Sequence, residues 1–133
     1  MITGLAHVCF TVKDLPTAEA FYVRTLGFTH AFDFADKDGR KFGTYLHISG
    51  RTFLELFAGT VSTPAPGQSF RHICLEVDDI ERTVADLRAQ GVRTDDPRLG
   101  ADGSYQAWLE DPDGNRIELH HYTPQSRQSP WLK

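Results

Sequence analysis

An internal repeat limits the possible folds of this chain more than its composition does. Apolar and polar side chains alternate along residues 6–15 and again along residues 70–79. Alignment of the two stretches pairs His7 with His72, Cys9 with Cys74, and Asp14 with Asp79. Alternation with a period of two is typical of a strand that packs on one face. Two copies of this pattern in a chain of 133 residues indicate a duplicated unit.

Each copy begins a series of one strand, one helix and three further strands. In the first copy the strand covers residues 5–12, and Asp14 is the expected N-cap of the helix. Pro16 fits the first turn of this helix, and Gly27 is the expected C-terminal stop. The remaining strands are predicted at residues 28–34, 42–48 and 52–57, with a tight hairpin at Ser49-Gly50.

The second copy follows the same plan. Asp79 is the expected cap of its helix, and Gly91 ends the helix. A short strand is predicted at residues 92–94, a polar loop at residues 95–103, and strands at residues 105–110 and 116–122. The sequence therefore predicts one α+β domain over residues 1–133 with two tandem βαβββ modules, at residues 4–58 and 70–122. Residues 59–69 form a linker rich in Pro and Gly, and residues 123–133 form a tail.

The last strands of the two modules also align. Residues 53–57 correspond to residues 116–120, which pairs Glu55 with Glu118. Alternation places the aliphatic residues of the first and last strands on one face, under the helices. The opposite face carries His7, Glu55, His72 and Glu118, together with Cys9, Phe53, Phe57, Phe70 and Cys74. Because this face has too many apolar side chains for an open surface, we expect it to line a cleft.

Two imidazoles and two carboxylates in one cleft suit a divalent metal such as zinc, nickel, cobalt or iron. The alternative is that alternating strands place polar residues towards solvent, as strands commonly do. For a single residue the second interpretation is favoured. Four residues at matched positions in both copies favour a metal site.

Charge and hydropathy exclude several classes of protein. The net charge of −4 gives no indication of nucleic acid or an anionic membrane as a partner. No apolar run approaches the length of a membrane span, and the N-terminus lacks the pattern of a signal peptide. We therefore expect a cytoplasmic protein in which Cys9 and Cys74 are free thiols.

These features together resemble the vicinal oxygen chelate superfamily, and within it the bacterial glyoxalase I branch. The resemblance covers residues 5–122, and residues 110–119 are among its most specific segments. It implies an open curved barrel around the metal with the helices outside, and a homodimer. It also implies a divalent metal, Ni²⁺ or Zn²⁺ first and Co²⁺, Mn²⁺ or Fe²⁺ after them. The ligand set of the family falls on His7, Glu55, His72 and Glu118.

The resemblance further implies a metal-dependent lyase or isomerase that transfers a proton on a small substrate with vicinal oxygens. Glu118 is the first choice for the base, and Glu55 is its near mirror image. Extradiol dioxygenases of the superfamily lack a carboxylate at the Glu55 position, and bleomycin-binding members lack the metal ligands. One alternative is an enzyme of another branch, such as a ring-cleaving dioxygenase or an epimerase. The other is a resistance protein that binds a small molecule without catalysis.

Two positions depart from the glyoxalase I pattern. Thr11 stands where those enzymes usually have an Arg that holds the carboxylate of glutathione, and Gly59 stands where many have Asn. The candidates for substrate binding are Thr11, Trp108, Arg116 and His120. Arg116 suits a substrate carboxylate or phosphate, or else pairs with a neighbouring acid. His120 suits a contact with substrate or with a ligand of the metal, or else has no functional role.

Overall fold

The computed structural model describes residues 1–62 and 64–132. The chain forms two compact units, Met1–Thr63 (unit 1) and Pro64–Lys133 (unit 2), and each contains a four-stranded sheet. Within each unit the order of elements is strand, helix and three strands. The α+β class and the two βαβββ units predicted from the repeat are therefore confirmed.

Unit 1 consists of β1 (His7–Val12), α1 (Leu15–Ala20), β2 (Thr29–Ala35), β3 (Lys41–Ser49) and β4 (Thr52–Ala58). Its sheet has the order β1-β4-β3-β2, with β1 parallel to β4 and the other pairs antiparallel. Asp14 occupies the N-cap position in extended conformation, and its carboxylate accepts a hydrogen bond from the Thr17 hydroxyl. The helix continues as a π-helical turn at Phe21–Thr25, and Gly27 ends it with φ of 80°.

Unit 2 consists of β5 (Ile73–Glu76), α2 (Ile80–Ala89), β6 (Arg98–Leu99), β7 (Tyr105–Glu110) and β8 (Arg116–His121). Its sheet has the order β5-β8-β7-β6, so equivalent strands are arranged as they are in unit 1. Asp79 caps α2 by accepting a hydrogen bond of 3.0 Å from the backbone N–H of Arg82. Gly91, with φ of 81°, follows the end of this helix.

The short strand predicted at residues 92–94 is wrong. It lies instead at Arg98–Leu99, inside the segment predicted as a polar loop. Leu99 pairs with Tyr105 because a tight turn, closed by a 2.8 Å hydrogen bond from Gly100 N to Ser104 O, brings the two together. The backbone carbonyl of Thr94 accepts from the guanidinium of Arg88 instead of from a strand.

The predicted assignment of faces holds in both sheets. The fully or nearly fully buried side chains of unit 1 include Val12, Tyr22, Leu46, Leu54 and Leu56, and those of unit 2 include Val84, Leu87, Ala107, Ile117 and Leu119. The helices cover these faces, which leaves the opposite face of each sheet for the histidines and glutamates. In the part of the chain that the structure describes, no helix is long and apolar enough to cross a membrane.

Candidate functional site

The first histidine–glutamate pair lies on neighbouring parallel strands of unit 1. His7 begins β1, and Glu55 lies in β4 opposite Cys9. The Nε2 atom of His7 is 3.8 Å from Oε1 of Glu55. The Glu55 side chain is 17% exposed and that of His7 is 42% exposed, so the carboxylate is the more enclosed partner.

Tyr45 orients His7. Its hydroxyl lies 3.1 Å from Nδ1 of His7, and the two rings meet edge to face with centroids 5.7 Å apart. Tyr45 is opposite Glu55 on the neighbouring strand β3. A hydrogen bond to one ring nitrogen leaves the other available, and metal-binding histidines are commonly held in this way. Tyr45 is not among the residues predicted from the sequence, although the pairing of β3 with β4 places it on the face of Glu55.

The second pair, in unit 2, is closer. His72 immediately precedes β5, and its Nε2 atom lies 3.0 Å from Oε2 of Glu118 in β8. The Glu118 side chain is 12% exposed. In both pairs the Nε2 atom of the histidine faces the carboxylate, as the duplication predicts for equivalent positions.

His120 contacts Glu118 and is buried. Its Nδ1 atom lies 3.0 Å from Oε1 of Glu118, so the two oxygens of this carboxylate face different imidazoles. Its Nε2 atom lies 3.6 Å from Asp102 and, among the described residues, makes no hydrogen bond. Asp102 in turn accepts a 2.6 Å hydrogen bond from Gln128 in the tail. Of the roles that the sequence left open for His120, the geometry favours a contact with Glu118, which the sequence predicts as a metal ligand.

Trp108 and Arg116 lie beside the second pair. Trp108 is opposite Glu118 on β7, and its ring meets His72 edge to face at 4.8 Å. The guanidinium carbon of Arg116 lies 4.4 Å from the centre of the Trp108 ring, which is a cation–π contact. Trp108 therefore occupies in unit 2 the position that Tyr45 occupies in unit 1, and it supports the histidine from the same side.

Comparison with known proteins identifies the family. A sequence model described as the Glyoxalase/Bleomycin resistance protein/Dioxygenase superfamily matches residues 4–119. The chain belongs to this superfamily. Its members include enzymes and antibiotic-binding proteins, and divalent metals and small molecules are common ligands among them.

Three relatives illustrate this range. Human mitochondrial methylmalonyl-CoA epimerase is 30% identical over 128 residues, which cover 86% of this chain and 72% of the epimerase. TnmS3, an antibiotic binding protein from a Streptomyces species, is 32% identical with a TM-score of 0.75, over 92% of this chain and 98% of TnmS3. A glyoxalase family protein from Enterococcus faecalis is 27% identical with a TM-score of 0.75, over 88% and 96% of the two chains.

The two departures from the glyoxalase pattern contact each other. Thr11 lies in β1, and Gly59 follows β4, where its N–H donates to the carbonyl of Val12. A Cβ atom at Gly59 would lie 2.8 Å from Cγ2 of Thr11. A larger residue at position 59 therefore requires the side chain of Thr11 to move.

The surroundings of both cysteines raise the pKa of the thiol. Burial and then the neighbouring Glu55 carboxylate raise the pKa of Cys9 to about 11. Burial, Glu118 and Asp102 raise the pKa of Cys74 to about 12. Both thiols are free, as predicted, and in the folded protein they lie beside carboxylates that disfavour the thiolate.

The donor set suits a divalent metal. Each pair offers one imidazole nitrogen and one carboxylate that is mostly enclosed, and borderline metals prefer such nitrogen and oxygen ligands. A second cluster of Glu19, His30 and Asp33 contains similar groups. There the ammonium of Lys41 lies 2.5 Å from Glu19 and 2.9 Å from Asp33, so a cation of the protein already neutralises the carboxylates.

Proposed function

We propose that this protein is a metal-dependent lyase or isomerase of the glyoxalase I type. The observation that carries the proposal is the duplicated histidine–glutamate pair, with His72 and Glu118 in contact at 3.0 Å and His7 and Glu55 at the equivalent positions. A protein that only binds a ligand has no need for two enclosed carboxylates, each beside an imidazole. Because desolvating a carboxylate is unfavourable, such groups are retained where they bind cations or transfer protons.

His7, Glu55, His72 and Glu118 would hold the metal, with Ni²⁺ or Zn²⁺ expected first and Co²⁺, Mn²⁺ or Fe²⁺ after them. When bound, the metal supplies Lewis-acid polarisation of the substrate oxygens. Tyr45 keeps the Nε2 atom of His7 available for it by holding Nδ1 at 3.1 Å. We also propose a homodimer, in which the first pair of one copy and the second pair of the other form one site.

Glu118 is the residue we assign as the base. Its carboxylate takes a proton from the carbon next to a substrate oxygen and returns it to the neighbouring carbon. The contact of Oε1 with His120 fixes the orientation of the carboxylate while Oε2 faces His72. Glu55 lacks an equivalent of His120, since Phe57 stands at that position. Of the two glutamates in the ligand set, this difference favours Glu118 over Glu55 as the base.

The first substrate to test is the hemithioacetal of methylglyoxal and glutathione, followed by other thiols and small hydroxy-ketones. Thr11 and Gly59 replace the usual contacts with glutathione, so another thiol or none fits this chain as well. Arg116, held against Trp108 at 4.4 Å, is the proposed contact for an anionic group of the substrate. The epimerase likeness supports the same class of reaction, because an epimerase inverts a stereocentre and proton removal and return achieve this.

A second candidate is a small-molecule-binding protein without catalysis. Its support is the likeness to the antibiotic binding protein TnmS3 and a set of exposed aromatic side chains in unit 1. Glu55→Gln separates the two functions. A binding protein retains its affinity for ligand after this change, whereas an isomerase loses turnover while substrate binding persists.

Proton exchange is the test of the proposed function. Metal-replete protein is incubated with each substrate in deuterated water, and the α-carbon of the product is inspected by NMR. We expect deuterium at this carbon with wild-type protein and none with Glu118→Gln. Absence of both turnover and exchange with every vicinal-oxygen substrate would reject the isomerase and leave the binding protein.

A further inference from the structure

Six aromatic side chains form a continuous surface on unit 1, on the side of the sheet that carries His7 and Glu55. We call this surface the aromatic face; its members are Phe32, Phe34, Phe42, Tyr45, Phe53 and Phe57. The rings contact one another across β2, β3 and β4. The opposite side of the same sheet carries the buried leucines, so the aromatic face is not part of that core.

The rings contact one another in series, and several of these contacts are stacked. Tyr45 stacks on Phe53 with centroids 5.1 Å apart and on Phe32 with centroids 4.8 Å apart. Phe57 stacks on Phe42 at 6.0 Å with only 15° between the ring planes. Phe34 joins the two groups through contacts of 5.2 to 5.3 Å with Phe57 and Phe32. A planar ligand ring can stack on an outer ring of such a series or pack edge to face against the others.

Gly43 makes room for this arrangement. It lies opposite Phe57, and a Cβ atom at Gly43 would lie 2.5 Å from the ring of Phe57. Any side chain at this position displaces the ring. The position of the Phe57 ring beside Gly43 therefore depends on the absence of a side chain at position 43.

The duplication provides an internal comparison. The sheet pairings place Gln106, His120 and Arg116 of unit 2 where unit 1 has Gly43, Phe57 and Phe53. At these three positions unit 2 is therefore polar, and the series of stacked phenylalanines is not repeated there. The aromatic face is a property of unit 1 alone and does not follow from the shared fold.

The aromatic face is exposed and continues into the first metal-ligand pair. Phe32 is 48% exposed and Phe42 is 44% exposed, although burial of such rings is strongly favourable. Tyr45 connects the face to the site, since it stacks on two phenylalanines while its hydroxyl contacts Nδ1 of His7. A ligand with two oxygens at the metal therefore has the ring surface directly beside those oxygens.

We infer that the ligand of this protein joins a pair of vicinal oxygens to a planar aromatic ring, which stacks on the aromatic face. The inference rests on the proposed metal site and specifies its substrate class. It also accounts for the loss of the glutathione contacts at Thr11 and Gly59, because ring stacking replaces them as the source of affinity. Aryl hydroxy-ketones and other conjugated compounds with adjacent oxygens belong to this class.

Benzohydroxamate and acetohydroxamate test the inference. Both compounds chelate metals through two adjacent oxygens, but benzohydroxamate carries a phenyl ring where acetohydroxamate carries a methyl group. Titration calorimetry with zinc-loaded protein should show about tenfold or more tighter binding of benzohydroxamate. Phe32→Ala should lower the affinity for benzohydroxamate about tenfold and leave that for acetohydroxamate unchanged. Tyr105→Ala, which removes an exposed aromatic side chain of unit 2, is the matched control.

The outcomes separate the inference from the proposed function. Equal binding of the two hydroxamates to zinc-loaded protein would overturn the inference and leave the metal site intact. Binding of neither compound, with or without zinc, would instead reject the metal site. A Phe32→Ala variant that keeps the preference for the aromatic compound but sediments as a smaller species would assign the face to a contact between copies. Phe42→Ala repeats the test at the other exposed ring, so a variant that fails to fold does not end it.

Discussion

Removal of the Tyr45 hydroxyl should weaken metal binding without disturbing the fold. The hydroxyl lies 3.1 Å from Nδ1 of His7, and this contact fixes the direction in which Nε2 points. Tyr45→Phe removes one oxygen atom and keeps the ring that stacks on Phe32 and Phe53. Loss of a hydrogen bond behind a metal ligand typically lowers affinity by about 10- to 100-fold. This corresponds to about 1.4–2.7 kcal/mol of binding free energy.

The stability of the metal-free protein should change much less. The side chain of His7 is 42% exposed, so water replaces the tyrosine hydroxyl as a partner. We expect a loss in the free energy of unfolding near the lower end of the usual range for one hydrogen bond, about 0.5 kcal/mol. The difference between the two effects is diagnostic, because a general structural defect lowers stability and affinity together.

Competition with a chromophoric zinc chelator at neutral pH measures the affinity, and urea unfolding measures the stability. Tyr105→Phe provides the control, since it removes the same atom from an exposed tyrosine of unit 2. A zinc affinity of Tyr45→Phe within about twofold of wild type would refute the orienting role of Tyr45, because loss of a hydrogen bond behind a metal ligand usually has a larger effect.

Three further predictions concern assembly, pH and packing. If the site is shared between two copies, mixing His7→Ala with His72→Ala should restore about one quarter of the wild-type metal sites. Half of the dimers then contain one variant of each kind, and each of these dimers has one intact site. No restoration would reject the shared site. Hydrogen bonds from His30 and then Lys41 lower the pKa of Asp33 to about 2. The ionised Asp33 carboxylate therefore stabilises the fold above its unfolded pKa of about 3.9, and this contribution is lost as the pH falls towards 2. Denaturation midpoints of Asp33→Asn should therefore fall less steeply than those of wild type between pH 4 and pH 2, and parallel curves would contradict the assignment. Gly43→Ala places a Cβ atom 2.5 Å from the Phe57 ring and 2.9 Å from the Leu56 carbonyl. The free energy of unfolding, measured in urea, should therefore fall by about 1–3 kcal/mol. An unchanged midpoint would show that the Phe57 ring moves aside at no cost.

Most of the fold that can be predicted from the sequence follows from the internal repeat. The strand at Tyr105–Glu110 was predicted with its observed bounds, since the turn at residues 111–114 follows it directly. Asp79 and Gly91 likewise mark the ends of α2 by local chemistry that is visible in the sequence. β6 was not predictable in this way, because two residues show no periodicity and its pairing depends on the turn at residues 100–104.

The candidate site was predictable where it followed from strand parity. The two members of each histidine–glutamate pair lie within 4 Å of each other because they share a face, and the histidine lies in, or directly before, the strand next to that of the glutamate. Side-chain contacts made through a third element were not predictable. Gln128, which contacts Asp102, lies in a tail whose sequence shows no periodicity. The close approach of this tail also depends on Gly103, where a Cβ atom would lie 2.6 Å from the carbonyl of Gln125.

Metal content tests the central claim most directly. Elemental analysis of protein that was never exposed to chelator should find about one divalent metal per chain in the wild type. His72→Ala should lose most of this metal. His47→Ala should retain it, because His47 contacts Phe53 and the carbonyl of Gly50 and belongs to neither pair. A metal-free wild type, or full occupancy in His72→Ala, would contradict the assignment of His72 and Glu118 as metal ligands.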